Sequence, residues 1–134
     1  MIEFTILAVV LVVPLVYLLL AVFDVQRSAY GASSATREAA RVFVRAPSGA
    51  VAEERARQAA AVALADHGVE LTDGELTISC SASPCLTPGA SVKISFRTAV
   101  QLPLIPVFGS QSLARIPVAS SHTQLVDTYS ELRP

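Results

Sequence analysis

The chain reads as an α+β protein: a long N-terminal helix, a short second helix and a small three-stranded antiparallel sheet. Three features of the sequence predict this. An uncharged apolar run fills positions 4 to 23. A stripe of small and apolar residues at alternating steps of three and four carries the helical pattern on to about Ala46. After position 75 the apolar period drops from near four to two, the signature of half-buried strands. The chain therefore divides into a transmembrane helix over 1–23, its extramembrane continuation over 24–46, and a small α+β domain over 47–134.

The first helix is long enough to cross a bilayer. Twenty residues from Phe4 to Phe23 rise about 30 Å, the thickness of a hydrocarbon core. Fifteen of them are Leu, Ile, Val or Phe, and at ~0.3 to 0.6 kcal/mol each they outweigh Thr5 and Pro14. A secretory signal peptide is the competing reading. No basic stretch precedes the run and Asp24-Val25-Gln26-Arg27 follows it in place of a small-residue cleavage site, so a retained span is expected. Glu3, at the edge of this run, is its one carboxylate.

Beyond the run, Val22, Val25, Ala29, Ala32, Thr36, Ala39, Phe43 and Ala46 form the packing stripe of the continuing helix. Such a stripe is either the core side of a small domain or a contact between subunits. Arg27, Ser34, Arg37, Glu38, Arg41 and Arg45 occupy the other faces, and Pro47 supplies the stop. The second helix spans Ala50 to Asp66, capped by Ser48 or Gly49, with Glu53 and Glu54 suited to its first turn and Gly68 behind its end. Ala52, Ala56, Ala59, Ala60, Ala63 and Leu64 make its buried face.

Strands follow. Leu76, Ile78 and Cys80 alternate with polar partners, as do Val92, Ile94, Phe96, Thr98, Val100 and Leu102. A proline-rich connection, Leu102 to Gly109, whose prolines suit a loop or a sheet edge, leads to a third extended segment near Leu113 to Val126. Apolar residues in that connection fold back on the helices or turn toward a membrane surface or a partner.

Cys80 and Cys85 flank Ser-Ala-Ser-Pro, and in an exported domain so close a pair is most simply a disulfide. Two free thiols or half a metal site are the alternatives. Neither His67 nor His122 has ligand spacing to the pair, and no metal or other cofactor is expected. The four arginines behind the span favour a cytoplasmic domain under the positive-inside tendency, whereas the cysteines favour the opposite side. A net charge of −1, with no basic cluster among aromatics, removes nucleic acid from the partners. Two histidines without a nucleophile or acid at catalytic spacing make an anchored hydrolase the weakest class, and no enzyme activity is expected.

Several residues together carry a resemblance. Glu3-Phe4 opens a long apolar helix, Arg37-Glu38-Ala39-Ala40-Arg41 stands behind it, and a strand, proline-rich loop and strand end in Ala119-Ser120-Ser121-His122-Thr123. The chain resembles the TadE-like minor pseudopilins of tight-adherence (Tad/Flp) pilus systems, particularly actinobacterial ones, over most of its length. The resemblance implies a pilin-like fold, a domain outside the cytoplasm, and partners that include membrane lipid, other pilin or pseudopilin subunits and the pilus assembly machinery. It also implies that Glu3 pairs with the N-terminal amine of a neighbouring subunit. In this family that glutamate is fifth after cleavage by a prepilin peptidase, so the resemblance implies either an internal start with a leader ahead of Met1 or an unprocessed chain. A single-pass anchored extracytoplasmic binding domain is the alternative function.

Overall fold

The computed structural model describes residues 2–102 and 115–129. Two helices precede a three-stranded antiparallel sheet, the expected α+β arrangement: α1 (Ile2–Val44), α2 (Gly49–Ala65), β1 (Leu76–Cys80), β2 (Ser91–Gln101) and β3 (Arg115–Leu125). Strand order is β1-β2-β3. Helix α1 runs unbroken through Pro14 and ends at Val44, two residues before the expected Ala46.

The turn between the helices folds α2 back along α1. Its N-cap is Ser48, whose side chain makes no capping bond. Glu53 and Glu54 lie beyond the first turn, because the helix begins at Gly49, and they serve instead as partners one turn along: Arg57 Nη2 donates to Glu53 Oε1 at 3.0 Å and Gln58 Nε2 to Glu54 Oε1 at 2.7 Å. At the far end Gly68 takes a left-handed φ of 69° while its N–H bonds Ala65 O and the Val69 N–H bonds Leu64 O. This Schellman closure satisfies carbonyls that the helix end would otherwise strand, and Val69 packs against the core beside it.

The sheet lays one face on the helices. Leu76, Val92, Ile94, Phe96 and Val118 are buried on that side, whereas Thr77, Lys93, Arg97, Ala119 and Ser121 are exposed on the other. Small residues make the helix side of the core: Ala32, Ala35, Ala39 and Ala40 on α1, which packs on β2 and β3, and Ala52, Ala56 and Ala60 on α2, which packs on α1, all fully buried. Small helix residues against large strand residues let the layers come close without voids. Phe96, Leu64, Ile94 and Val92, the bulkiest fully buried side chains, contribute roughly 1.5 to 3 kcal/mol each.

Pro117 lies inside β3, opposite Ala99. The Val126 N–H donates to Ala90 O, which turns even-numbered β3 residues toward β2 in the antiparallel alternation and odd-numbered ones toward the free edge. The N–H that proline lacks is therefore one the sheet does not need, and β3 is an edge strand as its proline demands. The proline-rich stretch over 103–109 lies outside the described residues.

Candidate functional site

Half of α1 belongs to no core. Its most apolar window of 18 residues has 0% of its residues buried, which separates it from the central helix of a globular domain. The helix is long and apolar enough to cross a membrane and is compatible with single-pass anchoring. Glu3 lies in its first turn, exposed, where the helix dipole favours a carboxylate, and no cation reaches it among the described residues. At the other end of the run Arg27 Nη2 bonds Asp24 Oδ1 at 2.7 Å, and Tyr30 stands 70% exposed just above. A charged pair and an aromatic are the groups expected at a membrane–water boundary.

The packing stripe divides in two. Ala32, Thr36, Ala39 and Phe43 are buried against α2 and the sheet, and Ala46 packs at the core's margin. Val22 and Ala29 are exposed and Val25 half-buried, because the domain begins only at Ser28. Ser28, Gly31, Ala35 and Ala40 are the buried positions that the single row of expected residues omitted. Their smallness was visible, but a helix wedged between a second helix and a sheet buries a band about two rows wide. Ala59 of α2 is likewise only half-buried.

Two contacts fix α1 in place. A Cβ added at Gly31 would stand 3.0 Å from the His67 Cβ, so the end of α2 crosses α1 where α1 has no side chain. Higher up, the Thr36 and Ser120 hydroxyls lie 3.2 Å apart, while Thr36 Oγ1 also bonds Ala32 O at 3.1 Å. That polar link joins α1 to β3 inside the apolar layer.

Cys80 and Cys85 are bonded to one another, with Cα atoms 5.3 Å apart. The free-thiol and half-metal-site alternatives are thereby removed. The bridge pins the loop from β1 toward β2, where the Thr87 hydroxyl also donates to Pro84 O at 2.6 Å. Beside it, a shallow groove between α2 and β1 is lined by Phe43, Leu76, Ile78 and Cys80 together with Glu53 and Arg57. Those two charges pair with each other at 3.0 Å, and Thr77 and Ser83 add hydroxyls to the lining.

Charge is segregated along the chain. Residues 48–75 carry six acids against Arg55 and Arg57, a net of −4, whereas residues 76–126 carry Lys93, Arg97 and Arg115 and no acid. Glu75 is the acid that ties the two regions, accepting from Thr98 Oγ1 at 2.7 Å and from the Thr72 N–H at 3.0 Å.

Compared with known proteins, the chain matches no protein family, no curated sequence and no solved structure.

Proposed function

We propose that this chain is a non-catalytic minor pilin-like subunit that helps assemble or start a Tad/Flp-type pilus, anchored by α1 with its α+β domain outside the cytoplasm. The observation that carries the reading is the bare apolar half of α1 ending in one carboxylate. A carboxylate at the mouth of a hydrocarbon layer is costly unless it is paired, and a neighbouring subunit's N-terminal amine is a partner of opposite charge at the same depth. The resemblance of the N-terminal residues to TadE-like pseudopilins supplies the pilus context. The disulfide supports the outward domain, since such bonds persist in oxidising compartments. Against the positive-inside tendency of Arg37, Arg41 and Arg45, it is the stronger argument, because that tendency weakens for a folded domain that is translocated as a unit.

The α2–β1 groove, lined by Phe43, Leu76 and Ile78 with Thr77, Ser83, Glu53 and Arg57, supports the second reading, an anchored binding domain, only as far as a shallow groove of mixed lining can. Replacing residues 1 to 23 by an unrelated apolar span separates the two. In the pilin reading the exchange abolishes assembly although the domain is still displayed outside, because the helix is a contact surface. Pili of normal number on cells carrying the exchanged span would reject the subunit role and leave the anchor.

A further inference from the structure

We infer that the lower end of the sheet, where β2 gives out at Gln101 and β3 begins at Arg115, rests in the headgroup layer of the membrane that α1 crosses. The domain then touches phospholipid at a second place besides its anchor. The inference rests on membrane anchoring but not on a pilus.

Direction comes first. Cys80 and Cys85 share a groove with Phe43 and Gly49, so that end of the sheet stands at the top of α1, far from the apolar run. β2 and β3 pair from Ser91 with Leu125 at that end to Gln101 with Arg115 at the other, which therefore points down the helix toward the span. The third strand stops short of it. The lowest β1 pair is Leu76 with Phe96, and from Arg97 to Gln101 β2 continues with β3 alone.

The contact between Thr36 and Ser120 gives the height. From Ser120 to Arg115 the strand falls five residues, about 17 Å, or about 13 Å if it is inclined to the helix by roughly 40°. The same descent along α1 from Thr36 leads to between Val25 and Arg27. Phe23, the last residue of the apolar run, lies only about 3 to 6 Å lower. The polar layer on each side of a hydrocarbon core is about 5 to 8 Å deep, so the foot of the sheet falls inside it.

The chemistry at this level suits lipid. The acidic loop does not reach so far down at either end, since His67 meets α1 at Gly31 and Glu75 accepts from Thr98, three residues above Gln101. From Ala99 to Val118 the sequence has one charge, the exposed Arg115, a cation fit for lipid phosphate. The chain leaves the described sheet at Leu102 and rejoins it at Arg115, and the twelve intervening residues are uncharged and include Leu104, Ile105, Val107 and Phe108. Lipid surrounds every anchored chain at this height, whereas a second copy in the same membrane sets the same arginine at the same level.

The chain has no tryptophan, so a single introduced one reports alone. Lys93, Ala99 and Gln101 are exposed on one face of β2 and span about 27 Å of height. Each is replaced by Trp in the full chain, which is placed in phosphatidylcholine vesicles containing nitroxide-headgroup lipid in both leaflets and recovered by flotation. Gln101→Trp should lose most of its emission to the nitroxide, Ala99→Trp less and Lys93→Trp almost none, and diluting the protein in lipid should leave that order unchanged. Ala99→Trp against Lys93→Trp carries the same forecast where Gln101→Trp fails to fold. Emission at 99 and 101 that the nitroxide leaves intact sets the foot clear of the bilayer and overturns the contact. Emission at 101 that is blue-shifted yet unquenched means that protein covers the foot, whether α1 or another copy, and overturns it as well. Quenching at 93 as strong as at 101 lays the whole sheet on the membrane and is equally contrary. Protein that fails to float counts against the anchoring itself, whereas a clear foot on protein that floats leaves the anchoring and the role of Glu3 untouched.

Discussion

Gly31 sets how closely the two helices approach. Its missing side chain faces the root of His67, an atom fixed to the backbone, so a methyl group there must displace α2 itself. Gly31→Ala should cost ~1 to 3 kcal/mol in spite of its better helix propensity. The midpoint of urea denaturation reads this, and adding His67→Gly, which removes the opposing Cβ, should recover part of the loss. The cysteine pair acts differently, through the unfolded chain. Closing so short a ring contributes on the order of 2 kcal/mol, so the double variant Cys80→Ser, Cys85→Ser should unfold at correspondingly lower urea, and non-reducing mass spectrometry of the native protein should find no alkylatable thiol. The cysteines were legible because chemistry and spacing act locally. Gly31 was not: nothing nearby in sequence marks a glycine as the contact point of His67, 36 residues further on and just past the end of α2.

Elements were legible where period and punctuation agree. The shift from period near four to period two located β1 at Leu76–Cys80 and β2 to within a residue, whereas Pro117, which fits β3 to the sheet edge, was not singled out in the sequence. Ends were less so. α1 ends at Val44 where Ala46 looked helical, since an alanine continues a helix as readily as it ends one, and α2 begins at Gly49, one residue before the expected Ala50. The stripe from Val22 to Phe43 has one period throughout, yet only its upper part meets the core; periodicity fixes a face and not what covers it. Of the lower part, Val22 belongs to the apolar run, where every face is apolar, and Val25 and Ala29 lie just beyond it, beside or below the point where the domain begins at Ser28. Leu11→Arg, near the middle of that run, should cost ~3 kcal/mol of insertion and move protein from the membrane to the soluble fraction. Undiminished membrane retention of this variant would mean that the run is not a span.

At the scale of the molecule, a bare apolar helix about 30 Å long continues without a break into the helix that lies between α2 and the sheet. A rigid connection of this kind transmits the position of the span to the sheet, so whatever fixes the helix in the membrane also fixes which surfaces neighbouring copies present. The fold could be read from the chain because each element carries its own period, although the packing that joins them is long-range: α1 packs on β2 and β3 as well as on α2. The role of Glu3 could not, since its proposed partner lies on another molecule. That residue carries the central claim, and counting pili on cells that express Glu3→Ala at the wild-type membrane level tests it most directly. The variant removes a group that pairs and none that packs, so the domain should stay folded, disulfide-bonded and membrane-inserted while pilus number falls sharply. Pili of normal number and length on those cells would contradict the account.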